Sequence, residues 1–247
     1  MLFYRSLPTY KERDYLMPAW QILTDDFLNR IALSLDEFET QLHLPNVKAV
    51  KRIVPLRDIT SITSPPIPIS TDLLLRLIQR IRTMDNQLPY AKARIQMIKI
   101  DPRYLKIGQK FIYRENYQKM IENIPNIFHN FLGVNGGLSD LGAYFIFGIN
   151  GSNEPALACY LPPLVEMHGN NMVITDGIHR NFILKQAGST LNSILIENVS
   201  IPFPCSVHSW TDIEIVPLSE KPKDMVNRYF DLEQPLFRNL KYLGIDG

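Results

Sequence analysis

The sequence "TDGIHR", residues 175–180, places an acid, a glycine, an imidazole and a guanidinium where an apolar run meets a helix-like pattern. The first backbone N–H groups of a helix lack intrahelical partners and, with the helix dipole, attract anions. Arg180 could add a forked, permanently charged contact to a phosphate, and His179 could donate to a phosphate or move a proton. Asp176 could hold a metal ion, accept a hydrogen bond from a substrate hydroxyl, or cap the helix. This chemistry predicts a phosphate site; the alternative is an ordinary Asp-Gly turn with solvated His179 and Arg180.

Glu166 and His168 form a second candidate, because they share one face of a predicted strand. Glu166 could act as a general base or metal ligand beside the phosphate site, and the alternative is an exposed pair at the mouth of a hairpin. A third candidate is the end of the first predicted strand, with Lys99, Asp101 and Arg103. That end could face a nucleotide, although charged strand ends are usually solvated.

Metal ligands are the weakest signal in the chain. Cys205 and His208 have half of a zinc-binding spacing, but Cys159, His129 and His168 do not complete a ligand set. We therefore predict no structural metal. Two cysteines also provide no disulfide framework.

The elements that must position these residues are predicted between residues 91 and 215. Alternating or apolar runs predict strands in "ARIQMIKID", "GAYFIFGING", "LACYLPPLVEM", "NNMVIT" and "STLNSILIENVS". Helices are predicted in "ENYQKMIENIPNIF" and in "GIHRNFILKQAG", which ends in glycine. This alternation predicts an α/β or α+β domain with a mixed sheet. Residues 1–90 are predicted to be mainly helical, and residues 216–247 to form an extension that packs on the domain.

Composition excludes several classes of protein. The 247 residues are 45% hydrophobic and 21% charged, with a formal net charge of +1. No run approaches the ~18 apolar residues of a membrane span, and the first residues lack the apolar region of a signal peptide. We therefore predict a cytoplasmic protein that does not enter a membrane. The near-neutral charge gives no support for a large nucleic-acid footprint.

The segment "LPPLVEMHGNNMVITDGIHRNFILKQAGSTLNSILIENV" resembles the core of the ParB/sulfiredoxin-like superfamily. Members carry a strand, a hairpin, a strand ending in Asp-Gly or Gly-Gly, a helix opening with His-Arg or Arg-Arg, and a closing strand. The resemblance covers about residues 93–200, and its Asp-Gly-x-His-Arg variant is similar to the DndB-like proteins of DNA modification. It implies a nucleotide (ATP, ADP or CTP) with Mg²⁺. Carried over by position, Gly177, His179 and Arg180 would contact the phosphates. With Ile178 and Lys99 they are the nucleotide-binding candidates, and Asp176, His179 and Glu166 are the catalytic candidates.

Departures from the family narrow the expected activity. Ile178 stands where sulfiredoxins carry their catalytic cysteine, which argues against sulfinic-acid reduction. No helix-turn-helix is recognisable after residue 200, which argues against centromere-type DNA binding. The expected function is thus a nucleotide-binding phosphotransferase or NTPase. The alternative is a DNA-associated regulatory, modification or defence module that contacts DNA or a protein through residues 1–90, with nucleotide as a switch or absent. A homodimer is compatible with either function. A third hypothesis is a family member without catalytic activity, in which His179 and Arg180 have only a structural role.

Overall fold

The computed structural model of the chain describes residues 21–42, 47–118 and 137–245. Within them the α-helices are α1 (Thr24–Ile31), α2 (Leu35–Leu42), α3 (Thr71–Gln79) and α4 (Ile178–Gln186), and residues 114–118 are also helical. The strands, in chain order, are β1 (Ile22–Leu23), β2 (Arg52–Ile53), β3 (Ile59–Ile62), β4 (Ile67–Pro68), β5 (Arg82–Thr83), β6 (Arg94–Ile100), β7 (Phe111–Tyr113), β8 (Tyr144–Asn150), β9 (Pro155–Tyr160), β10 (Leu164–His168), β11 (Asn171–Ile174), β12 (Leu191–Glu197), β13 (Glu214–Val216) and β14 (Arg238–Asn239).

The larger sheet joins strands from both sides of residue 90. Its order is β1-β2-β9-β8-β3, and β4 also pairs with β8. The antiparallel pair β8 and β9 forms its centre, and the β-branched and aromatic residues of β8 suit this buried position. We expected a domain boundary at residue 90, but this sheet contains paired strands from both sides of that residue.

The helices α1, α2 and α3 supply apolar faces to the main hydrophobic core. Phe38 packs edge-to-face against Phe27 and Phe145, with ring centroids 5.9 Å and 5.5 Å apart. The helix α3 begins after Ser70, whose hydroxyl accepts a hydrogen bond from the backbone N–H of Leu73. Five short strands (β1–β5) lie beside these helices. The described part of residues 1–90 therefore contains short strands in addition to the helices that we had expected.

The smaller sheet has four strands in the order β11-β10-β12-β6. The strands β10 and β11 form an antiparallel hairpin, and the turn between them contains Gly169 at a φ of 57°. The strand β12 runs parallel to β10 and antiparallel to β6. The helix α4 connects β11 to β12, so the "TDGIHR" turn lies at the end of β11.

A second hydrophobic cluster fixes α4 on this sheet. Ile178 and Phe182 of the helix pack with Val165 of β10 and Leu195 of β12. All four side chains are buried. The apolar face of α4 thus fixes the direction in which the first turn of the helix points.

The mixed α/β class is confirmed, and so are the strands predicted in "ARIQMIKID", "NNMVIT" and "STLNSILIENVS" and the helix in "GIHRNFILKQAG". The single strand expected in "LACYLPPLVEM" was wrong, because β9 and β10 belong to different sheets. Pro162 and Pro163 between them lack the N–H groups that a continuous ladder needs. The helix expected in "ENYQKMIENIPNIF" lies mostly outside the described residues. No described helix is long and apolar enough to cross a membrane.

Candidate functional site

The turn between β11 and α4 is held by backbone contacts with the start of β10. The backbone N–H of Leu164 donates to the carbonyl of Asp176 at 3.2 Å, and Asp176 N–H donates back to the carbonyl of Leu164 at 3.3 Å. Gly177 then takes φ 80° and ψ 29°, a left-handed conformation that glycine adopts readily. A Cβ atom there would lie 2.8 Å from Pro163. The glycine therefore allows both the turn and the close approach of the preceding loop.

The N-terminus of α4 opens into a cavity of about 480 Å³. The carbonyl of Gly177 accepts the first helical hydrogen bond, from the backbone N–H of Asn181 at 3.0 Å. The N–H groups of the preceding turn are thus outside the helical ladder and carry the positive end of its dipole. Four consecutive residues, 176–179, line the cavity. Its volume is in the range of small-molecule sites.

The cavity lining is strongly basic. Among the described residues it contains one carboxylate, that of Asp176, and five Arg and Lys side chains: Arg57, Lys221, Arg228, Arg238 and Lys241. This local excess of positive charge contrasts with the net charge of +1 for the whole chain. A cavity with this lining attracts anions.

The wall that carries Lys221 and Arg228 is braced by hydrogen bonds. The backbone N–H of Leu218 donates to the carboxylate of Glu115 at 2.7 Å. Arg228 donates from Nε to the carbonyl of Pro222 at 2.7 Å and from Nη2 to that of Lys223 at 2.6 Å. These contacts fix a basic segment from the C-terminal part of the chain in the cavity lining.

His179 is neutral and is held in one orientation. Its Nε2 atom accepts a hydrogen bond from the backbone N–H of Tyr113 at 3.0 Å, and its ring stacks on that of Tyr113 at 5.8 Å. Burial, with smaller effects from the charges of Lys221 and Arg180, lowers the pKa of His179 to about 4. A neutral imidazole that accepts at Nε2 carries its proton on Nδ1. His179 can therefore donate to a ligand in the cavity.

Tyr113, the last residue of β7, also lines the cavity. Its side chain is 3% exposed, and its hydroxyl has no hydrogen-bond partner among the described residues. The Nζ atom of Lys221 lies 5.3 Å from the centre of its ring. Burial raises the pKa of Tyr113, so the hydroxyl keeps its proton at neutral pH.

Arg180 is buried beneath the turn and is not part of the cavity lining. It is 3% exposed; its Nη1 donates to the carbonyl of Leu161, and its Nη2 lies 3.1 Å from a carboxylate oxygen of Asp176. The guanidinium carbon also lies 5.3 Å from the centre of the Tyr160 ring. The phosphate contact expected from Arg180 is thus not provided by this geometry. The residue instead braces the turn from the protein interior.

Asp176 lines the cavity and shares an ion pair with Arg180. Burial raises the pKa of its carboxyl group, while the charge of Arg180 and the backbone N–H of Gly177 oppose that shift. Its side chain is 17% exposed. Asp176 therefore lies at the cavity with part of its side chain exposed.

Glu166 does not face the cavity as a free carboxylate. It is fully buried and accepts hydrogen bonds from Tyr90 at 2.5 Å, His168 at 2.6 Å and Thr175 at 3.0 Å. Arg238 adds two more, from Nε at 2.8 Å and from Nη2 at 2.7 Å. Burial alone would raise the pKa of Glu166, but its donors hold it below the usual value. A carboxylate with five donors has no room for the general-base role that we had predicted, and the expected exposed pair with His168 is equally wrong.

The remaining predicted residues separate into two groups. Lys99, on β6, is not part of the cavity lining. Its Nζ atom forms an ion pair with Asp140 at 2.6 Å, and its side chain is 57% exposed. Ile178 lines the cavity while its side chain packs in the second cluster. Among the described residues, no three His, Cys, Asp or Glu side chains are grouped as metal ligands.

Sequence reasoning missed Tyr113, Lys221, Arg228 and Arg238. Each comes from a segment distant in sequence from the turn, and Arg238 is 72 residues from the carboxylate that it pairs with. The only available signal was their residue type, which does not show where a side chain lies. No protein-family model, curated protein or solved structure matches the chain.

Proposed function

We propose that this protein binds a nucleotide through its phosphates in the cavity at the N-terminus of α4. The observation that carries the proposal is the convergence of that N-terminus with a basic lining. Among the described residues it has five Arg and Lys side chains, of which Arg238 is paired with Glu166, and one carboxylate. Backbone N–H groups at a helix start and flexible cationic side chains are the two usual donors to phosphate oxygens. The resemblance of residues 93–200 to a nucleotide-binding superfamily supports the same ligand class.

Within the site, each phosphate contact has a candidate on this chain. The N–H groups after Gly177 would contact one phosphate, and His179 would donate from Nδ1. Lys221 would neutralise charge from the opposite wall. Arg228 is fixed by its bonds to Pro222 and Lys223, so its charge acts at a set position.

The non-phosphate part of a nucleotide also has a surface to contact. The lining includes Met84, Phe203, Phe237 and Leu240. Aromatic and apolar side chains of this kind pack against a nucleobase or sugar. A cavity of about 480 Å³ is large enough for part of a nucleotide to be enclosed.

The lining can also accommodate the Mg²⁺ ion that the resemblance implies. Magnesium sites use one or two carboxylates with the oxygens of substrate phosphates. Asp176 is the one carboxylate in the described part of the lining, and it would supply that ligand while Arg180 holds it. When bound, the ion would reduce the negative charge of the phosphates. Since Glu166 is occupied by five donors, we assign no general base, and binding rather than phosphoryl transfer is the proposed activity.

The DNA-associated alternative stays a prediction. The apolar residues of α1 and α3, including Phe27, Leu74 and Leu77, are buried in the main core. A DNA contact through this region would therefore use the outer faces of these helices.

The test is a titration of the purified chain with ATP, ADP, CTP and pyrophosphate, each with Mg²⁺. Calorimetry measures binding, and an assay for released phosphate measures hydrolysis. Lys221→Gln removes a charge of the lining, whereas Lys223→Gln removes an exposed charge two residues away. We expect the first variant to weaken binding by about tenfold and the second to change it by less than about twofold. Absence of binding by the wild type, or equal effects of the two variants, would contradict the proposal. Release of phosphate would extend it to hydrolysis.

A further inference from the structure

The side chain of Tyr113 presents an unusual feature at the edge of the cavity. Its hydroxyl is buried and has no hydrogen-bond partner among the described residues. Buried polar side-chain atoms nearly always have partners, because leaving one unsatisfied costs about 1–3 kcal/mol. The hydroxyl therefore needs a specific explanation.

Tyr90 provides the contrasting case in the same molecule. It is also buried, at 0% exposure, but its hydroxyl donates to Glu166 at 2.5 Å. Tyr90 is not among the residues that line the cavity, whereas Tyr113 is. The unsatisfied hydroxyl thus belongs to the tyrosine that lines the cavity.

The position of the Tyr113 ring is fixed on several sides. Its ring lies against that of His179, its own backbone N–H holds the Nε2 atom of His179, and the ammonium group of Lys221 lies over its face. Neither the hydroxyl of Tyr113 nor Nδ1 of His179 has a partner in the part of the chain that the structure describes. Two stacked rings, each with one neutral donor group, are therefore held next to the N-terminus of α4.

We infer that the hydroxyl of Tyr113 is a ligand-binding group that donates a hydrogen bond to an anionic oxygen of the bound phosphate, beside the Nδ1–H of His179. This assignment rests on the proposed function and specifies one of its contacts. Neutral donors add direction to the attraction that Lys221 and Arg228 supply, because a hydrogen bond requires alignment and a charge does not. The pair of donors thus selects a tetrahedral oxyanion over an anion without suitably placed oxygens.

Tyr113→Phe and Tyr90→Phe are a matched pair of variants, since each removes one buried hydroxyl and nothing else. Tyr113→Phe should weaken binding of Mg²⁺-ATP or pyrophosphate by about tenfold or more, as expected for a hydrogen bond to a charged group. It should leave the denaturant midpoint of the ligand-free protein unchanged or raised, because the hydroxyl has no partner to lose. Tyr90→Phe should lower that midpoint and change affinity by less than about twofold.

The outcomes separate this inference from the function on which it rests. No binding of any of the four ligands by the wild type overturns the proposed function, and this assignment with it. Wild-type binding with equal affinity in Tyr113→Phe overturns the assignment alone. A loss of ligand-free stability in Tyr113→Phe as large as that in Tyr90→Phe also overturns it, because the hydroxyl would then have a structural partner.

Discussion

Two polar clusters meet at Thr175, and they differ in whether their donors and acceptors are satisfied. In the closed cluster, Glu166 accepts five hydrogen bonds, and Arg238 also donates to the carbonyls of Ile201, Pro202 and Leu236. In the open cluster, the stacked rings of Tyr113 and His179 line the cavity. There the hydroxyl of Tyr113 has no partner among the described residues. Both clusters contain residue types that sequence reasoning associates with catalysis.

The difference teaches that residue type alone does not distinguish a binding site from a structural ion pair. Glu166 has the chemistry of a general base, but its lone pairs are occupied and it joins β10 to the C-terminal segment through Arg238. His179 is held by only one of its ring nitrogens, so the other remains for a ligand. A ligand can bind where hydrogen-bonding capacity is left over, and the predictions below test that distinction.

The largest effect is expected from breaking the closed cluster. Arg238→Met removes one partner of a fully buried pair and leaves the Glu166 carboxylate without its main counter-charge. Such changes cost about 3–5 kcal/mol of unfolding free energy, measured by guanidinium denaturation. Adding Glu166→Gln should recover part of this loss, because no uncompensated charge then remains in the core. A loss below about 1 kcal/mol for Arg238→Met would show that the cluster is not closed.

A smaller effect is expected from Gly177→Ala at the start of the open cluster. Gly177 has a φ of 80°, and an added Cβ would lie 2.8 Å from Pro163 and 2.9 Å from Nη2 of Arg180. Gly188→Ala is the matched control, because Gly188 has a φ of 65° but open space around it. We expect about 1–2 kcal/mol for the control from left-handed strain, and about 1–2 kcal/mol more for Gly177→Ala from crowding. Equal losses in urea denaturation would mean that the turn relaxes away from Pro163.

The strands and α4 around this turn could be predicted because their signals are local. Apolar alternation marks β6 and β11, and the Asp-Gly turn with a closing glycine marks both ends of α4. The side to which Arg180 points could not be predicted in this way. Its direction depends on the carbonyl of Leu161, in a loop that the sequence suggested was part of a continuous strand.

The strands of residues 1–90 and the partners of the two clusters depend on contacts that are distant in sequence. The strands β1, β2, β4 and β5 have two residues each, too few to show alternation. The closed cluster joins Tyr90, Glu166 and Arg238, and the cavity brings Tyr113 to His179. Nothing near any of these residues in the sequence signals its partner, so only the folded arrangement separates the two clusters.

The pH dependence of stability gives a further test of the open cluster. The pKa of His179 is about 4 in the folded chain and about 6.5 when unfolded, so the unfolded state binds more protons between these values. Stability should therefore fall as pH decreases through this window, by up to about 2 kcal/mol between pH 7 and pH 5. His179→Gln should lose this part of the pH dependence, whatever its stability at pH 7. Parallel pH profiles for the two proteins in urea denaturation would contradict the buried neutral imidazole.

The smallest expected effect tests the residue at which the clusters meet. Thr175 lines the cavity, but its hydroxyl already donates to Glu166 at 3.0 Å. Thr175→Val keeps the shape of the side chain and removes one of five donors, so it should cost about 1 kcal/mol in denaturant unfolding. Affinity for Mg²⁺-ATP or pyrophosphate should change by less than about twofold, because that hydroxyl is committed to the closed cluster. Weaker binding at unchanged stability would show that Thr175 belongs to the open cluster. An internal hydrogen-bond partner would then no longer distinguish structural groups from ligand-binding groups in this protein.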